Sequence, residues 1–251
     1  QTTQHIHARL SHCGRGEELI AGDAYHVIRY EAAGASVLGG VALHALPVAA
    51  DGALDPDAVR GAVKDDDSHH AISRLLGLEN TNYGKAIPLP RFAASVNAGR
   101  AAGLSVHLDG ARFFTAINAL GCSQSDLASP VDSVAGCLSK GLGAPVGAVL
   151  VGPSDLITRA KRLRKMLGGG LRQAGVLAAA GLYALEHNVD RLAEDHARAE
   201  TLAAHLSGRD IGAVTQATNM VFLTPRPGVE LSALAAHGLR LSAPAPACRM
   251  V

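Results

Sequence analysis

The sequence predicts an α/β fold, a mostly parallel central sheet followed by a small C-terminal α+β unit. Three observations point there. Short apolar runs bounded by glycine or polar residues alternate with longer helical stretches, the pattern of buried strands between covering helices. Two segments rich in reactive groups, His107 to Arg112 and Ser139 to Pro145, directly follow such runs. Ligands of open α/β sheets bind beyond the carboxyl ends of the strands. Past Gly152 the texture changes to long charged or alanine-rich helices, then to a short strand–helix–strand unit.

The elements follow in order. Gln1 to His12 is a helix-like mix of polar and apolar residues. Leu19-Ile20-Ala21 and Ser36 to Leu43 are strand candidates. A helix is expected from Asp55-Pro56, because Asp caps and Pro suits the first turn. Ile72 to Leu78 and Leu104 to Leu108 read as buried strands. A helix is expected after Arg112, then strands over Ser133 to Leu138 and Val146 to Val151. Asp155 to Leu167 is helical and basic, and Arg159, Lys161, Arg162, Arg164 and Lys165 read as a solvated face. Gly168-Gly169-Gly170 ends it. Gln173 to Glu186, rich in Ala and Leu, is expected to be a buried helix, and Val189 to Leu206 an amphipathic helix able to bridge two domains. Met220 to Leu223 and Leu239 to Ser242 read as strands flanking a helix from Leu231 to His237. Cys248 to Val251 reads as a strand start. The division expected is a large α/β domain over 1–187 and a partial small domain over 188–251, with both ends of the chain interrupted.

Composition excludes several functions. The chain has 251 residues, 48% apolar and 18% charged, enough to bury a core without staples. A net charge of +1, no tryptophan and 3% aromatics argue against nucleic acid and anionic membrane as partners. Cys13, Cys122, Cys137 and Cys248 stand far apart, which speaks against a zinc ribbon or a disulfide scaffold. No secretory pattern and no bilayer-length apolar run is read, so a cytoplasmic setting is expected. The histidines outside the motifs, His69-His70 included, lack metal-ligand grouping, so no metal is expected.

The chemistry sits in the two loaded segments. Asp109, at a strand's carboxyl end, can hold a cationic ring nitrogen, and Arg112 can take a carboxylate bidentately. A surface Asp–Arg pair would look the same from position alone. Lys140, among small residues after an apolar strand, is accessible yet partly desolvated, which favours the nucleophilic amine. It precedes its glycines, unlike a phosphate-binding loop lysine. Neighbouring parallel strands would bring Asp109 and Lys140 together. An acid for a pyridinium nitrogen and a lysine for a Schiff base are what pyridoxal 5'-phosphate requires.

Leu78-Glu79-Asn80-Thr81, His107 to Arg112, Cys137 to Val146 and Arg164 to Gln173 resemble the low-specificity L-threonine aldolases. So do Leu10-Ser11-His12-Cys13, Tyr30 to Gly34 and Thr218-Asn219-Met220. The likeness spans nearly the whole chain. It implies the aspartate-aminotransferase-like (fold type I) architecture, pyridoxal 5'-phosphate as cofactor, and a homotetramer, a dimer of dimers with active sites at dimer interfaces. The implied reaction is aldol cleavage of L-threonine or L-allo-threonine, small β-hydroxy amino acids, to glycine and acetaldehyde. Lys140 matches the Schiff-base lysine, Asp109 the partner of the pyridine nitrogen, and His26 the histidine stacked on the ring. Arg112 and Arg249 match the arginines that hold the substrate carboxylate. Thr2 matches the phosphate-loop threonine, although Gln1 stands where that loop carries glycine. Lys165 and Arg172 match basic positions near the active site. One departure bears on rate or side-chain preference: where the family reads Asn-Thr-His near the substrate hydroxyl, this chain reads Asn80-Thr81-Asn82. β-Elimination and transamination use the same Asp and Lys, and a catalytically silent fragment could retain both.

Overall fold

A computed structural model describes residues 2–238 and 248–251, with side chains from residue 6 onward except at 233 and 235. Six strands make the central sheet: β1 (Glu17–Gly22), β2 (Ala42–Leu46), β3 (Ile72–Glu79), β4 (Ser105–Gly110), β5 (Ser133–Cys137) and β6 (Ala148–Val151). Their order is β2-β1-β3-β4-β5-β6. All pair in parallel except β6, which runs antiparallel to β5. The interior strands carry the core: Leu19, Ile20, Leu75, Leu76, Val106 and Leu108 are fully buried. Continuous apolar runs of this kind are what strands covered on both faces need.

Helix α1 (Thr2–His12) lies on one face of this sheet, with Ile6 and Leu10 in the core. Helices α2 (His26–Arg29) and α3 (Gly34–Gly39) follow β1. The strand expected over Ser36 to Leu43 is wrong for its first half. Residues 34–39 are helical, Gly40 closes the helix at φ 68°, and β2 begins only at Ala42. The reason is close packing on α1: a Cβ at Gly39 would sit 2.0 Å from Leu10 Cδ2, and one at Gly34 2.5 Å from Ile6 Cδ1. A short apolar run does not by itself distinguish helix from strand, and the glycines decide it.

Helix α4 (Pro56–Ala62) starts where expected, with the Asp55 carboxylate accepting from the Asp57 N–H. Helices α5 (Leu89–Ala101), α6 (Phe113–Leu120) and α7 (Gln124–Ala128) fill the later crossovers. The α8 helix (Ser154–Met166) packs on α1, and its basic residues face outward. The alanine-rich α9 (Gly175–His187) is not the buried helix that its composition suggests. Gly181 and Ala184 are buried, the latter with Leu138, Leu142 and Leu192, while Val176, Leu182 and Tyr183 are exposed at 82%, 59% and 62%. One stripe of the helix meets the core, and the rest of its apolar surface faces outward in the single chain.

Helix α10 (Leu192–Ser207) packs on α6 and on two strands of a second, antiparallel sheet. That sheet has the order β7 (Gly212–Ala217), β8 (Met220–Pro225), β9 (Cys248–Met250). Leu231–His237 forms a 3-10 helix rather than an α-helix. The strand expected over Leu239 to Ser242 lies outside the described residues. The β7–β8 turn docks on the loop after β3: Thr218 Oγ1 donates to the Gly84 carbonyl at 2.8 Å. Gly84 has φ 80°, and a Cβ there would meet the Ala217 carbonyl oxygen at 2.6 Å. Gly84→Ala is therefore expected to destabilise the fold by about 1–3 kcal/mol, through left-handed strain and lost docking. Denaturant titration of the variant checks this, and an unchanged midpoint would show that the turn does not need glycine.

Candidate functional site

Strands β3, β4 and β5 end side by side, and their carboxyl ends carry the reactive groups. Glu79 closes β3 in register with Asp109 of β4, while Lys140 follows the end of β5. Asp109 is 3% exposed. Its Oδ1 accepts from the Ala111 N–H at 3.1 Å and its Oδ2 from Arg9 Nη2 at 3.2 Å. Such contacts favour the charged form of a buried carboxylate.

Lys140 and Arg112 line a cleft of about 540 Å³, closed on the far side by Asp195 and Arg198 of α10 and by Asn219 and Met250 of the second sheet. Burial and then the neighbouring Arg112 charge pull the Lys140 amine below its ordinary proton affinity. Arg112 itself is pushed down to about 10, first by burial and then by the charge of Arg249. The guanidinium of Arg249, on β9, is thus felt where Arg112 stands, so both sheets contribute cations to one place.

His26 begins α2, and its backbone N–H donates to Glu79 Oε2 at 2.7 Å. Its Nδ1 lies 2.9 Å from Glu31 Oε1, and its ring packs at 5.6 Å from that of Tyr30. Asn82 is buried and donates from Nδ2 to Glu79 Oε1 at 3.1 Å. His26, Asn82 and Asp109 are therefore gathered around Glu79. Two expected residues are not brought in. Lys165 on α8 and Arg172 after it are exposed and do not line the cleft, and the Thr2 side chain lies outside the described residues.

Sequence reasoning missed Arg9, Glu31 and Glu79 as site residues. A signal existed for Arg9, which falls on the same helical stripe as the buried Ile6, Leu10 and Cys13. Glu79 follows the apolar, buried run Leu75 to Leu78, which is also unusual for a charged group. Glu31 had no comparable signal, since short turns carry acids routinely. Among the described residues there is no cluster able to hold a metal ion, and no helix long and apolar enough to cross a membrane.

A buried acid and a desolvated amine at adjacent strand ends, beside a cleft with two guanidinium groups, fit pyridoxal 5'-phosphate in charge and in room. Fold and site together define a pyridoxal-phosphate-dependent enzyme of fold type I. The chain belongs to the beta-eliminating lyase family, whose family model matches residues 5–226. It is 48% identical over 222 residues to the low specificity L-threonine aldolase of Escherichia coli K12, covering 88% of this chain and 67% of that protein. Among solved structures, a threonine aldolase of Leishmania major superposes with a TM-score of 0.80 at 20% identity, over 99% of this chain and 75% of that one. An N-succinyldiaminopimelate aminotransferase of Mycobacterium tuberculosis gives 0.69 at 21%, over 100% and 71%. At such identities the structural likeness establishes the fold alone.

The Glu79 carboxyl is pushed up to about 7, by burial and then by the negative charge of Asp109. A folded-state value above the ordinary 4.5 means stability that is complete below pH 4.5 and lost as pH rises through about 7. Glu79→Gln should remove that loss, roughly 3 kcal/mol for a shift of this size. Unfolding titrations of both proteins from pH 4 to 8 check this, and parallel stability profiles would refute it.

Proposed function

We propose that this chain performs aldol cleavage of L-threonine and L-allo-threonine to glycine and acetaldehyde with pyridoxal 5'-phosphate. The observation that carries the reading is that Lys140 and Arg112 line one cleft while Asp109, on the strand paired with the one before Lys140, lies within electrostatic reach of that amine, in a chain 48% identical to a named threonine aldolase. When bound, the cofactor supplies an electron sink for the pair released from the substrate's Cα–Cβ bond.

The chain's residues would supply the rest. Lys140 would hold the cofactor covalently through Nζ, whose lowered proton affinity keeps more of it as free amine. Asp109 would face the ring nitrogen and favour its protonated form, and His26 would stack on the ring. Arg112 and Arg249 would grip the substrate carboxylate from the two sheets and so fix which bond of Cα stands across the ring. Asn82 cannot act as a base near neutral pH, because an amide only donates and accepts hydrogen bonds. Its Nδ2 instead donates to Glu79, the carboxyl whose proton affinity lies near neutrality. If the substrate hydroxyl binds beside Asn82, Glu79 would be a group able to exchange a proton near it.

The domain division at 187/188, a cytoplasmic setting and a dimer of dimers belong to the same reading. The outward apolar side chains of α9 and the exposed Lys165 and Arg172 support the oligomer, in which these two cations and Thr2 would serve a neighbouring active site.

Two experiments test the proposal. Lys140→Ala should lose acetaldehyde release from threonine by several orders of magnitude while its apo-protein melts near the wild-type temperature. 2-Oxobutanoate and ammonia as the wild-type products from threonine would instead indicate β-elimination. For Asn82→His, the ratio of rates on the two threonine diastereomers should move by about fivefold or more, corresponding to roughly 1 kcal/mol. A gain of orders of magnitude on both, with the ratio unchanged, would show that the histidine carries the proton transfer.

A further inference from the structure

Four side chains form a continuous line beneath the site, three of them buried and the fourth, His26, part-exposed at its outer end. Arg9, from α1, lies between two carboxylates: Nη1 donates to Glu31 Oε2 at 2.6 Å and Nη2 to Asp109 Oδ2 at 3.2 Å. The side chains of Arg9, Glu31 and Asp109 are 3%, 1% and 4% exposed. The second oxygen of Glu31 meets His26 Nδ1 at 2.9 Å, and the second oxygen of Asp109 meets the Ala111 N–H. His26 and Asp109 belong to different elements, 83 residues apart in sequence, and are nonetheless joined through one guanidinium and one carboxylate.

We infer that Arg9 and Glu31 are positioning residues that couple the two groups facing the cofactor ring, so that the charge on Asp109 and the orientation and tautomer of His26 are set together. The inference rests on the proposed function for what the two ends do, though not for the existence of the coupling. The physical argument is as follows. A carboxylate accepting at Glu31 Oε1 requires the proton of a neutral His26 on Nδ1. A buried carboxylate stays an acceptor where a cation balances its charge, and Arg9 supplies one to Glu31 at 2.6 Å. The planar guanidinium can serve Glu31 and Asp109 at once; a lysine ammonium in its place reaches one well and the other poorly. Removing Arg9 takes away the one guanidinium that both buried carboxylates share, so both ends of the line are disturbed by a change at neither.

The test compares Arg9→Met, Arg9→Lys and Glu31→Gln with the wild-type chain. The first arm uses cofactor-free protein and the imidazole N–H resonance of His26, assigned by its loss in His26→Gln. Arg9→Met does not touch His26, yet it should shift or broaden this resonance, as Glu31→Gln does directly. An unchanged resonance in folded Arg9→Met overturns the coupling. If Arg9→Met does not fold, Arg9→Lys decides in its place on the same criterion. In the second arm pyridoxal 5'-phosphate is added. Arg9→Met should shift the visible absorbance band of the bound cofactor, lower kcat on threonine by about 10- to 100-fold with KM within about threefold, and regain part of the loss as Arg9→Lys. The Arg9→Met/Glu31→Gln double variant should be no worse than the poorer single, since both act through one line. Additive losses with an unmoved band would assign Arg9 a packing role and overturn the inference. A wild-type chain that gives no visible band refutes the proposed function instead, and the resonance then decides the coupling alone.

Discussion

Placing several charges in one interior is the problem around which this structure is arranged. Glu31, Glu79 and Asp109 are each at most slightly exposed. An uncompensated buried ion costs several kcal/mol, and breaking a buried pair costs about 3–5 kcal/mol. Three different solutions appear within one cluster. Asp109 and Glu31 share the Arg9 guanidinium. Glu79 instead accepts from a backbone N–H and a side-chain amide, and it moves toward its neutral form. The cations follow the same logic in reverse. Lys140 and Arg112 crowd one another and Arg249, and each binds its proton less tightly than usual. The site thus holds acids on the sheet side and bases on the cleft side, a polarity suited to a zwitterionic substrate and an anionic cofactor.

Topology makes that polarity possible. Parallel pairing sends the ends of β3, β4 and β5 to one edge, so the residues after them converge without any contribution from long-range loops. Reversing β6 returns the chain across the sheet, after which α8 packs on α1 and α10 reaches the second sheet. Through β9 that sheet adds the Arg249 charge to the edge that β4 and β5 have already supplied.

Much of this was readable from the residues, and the limits have physical causes. Strands β1, β3, β4 and β5 show as apolar runs because both of their faces are covered. The capped start of α4 shows because Asp and Pro act locally. Residues 34–39 misled because their conformation is decided by how closely Gly34 and Gly39 approach α1, a tertiary contact invisible to a local pattern. The α9 helix misled because alanine and leucine report helix propensity whether or not a partner covers the face. At the site, Lys140 and Asp109 were legible because each follows a strand. Arg9 and Glu31 were not, since their value lies in meeting each other across 22 residues and Asp109 across 100.

The contact between Thr218 and Gly84 ties together two parts of the molecule that sequence keeps far apart. Gly84 belongs to the short loop closed by the Asn82–Lys85 bridge, and Thr218 to the turn of the sheet that carries Arg249. The side chain nearest the proposed hydroxyl position and the proposed clamp for the carboxylate are therefore mounted on one mechanical frame. Under the proposed function the two ends of a β-hydroxy amino acid would be gauged by a single caliper, jointed at a glycine assigned to neither end.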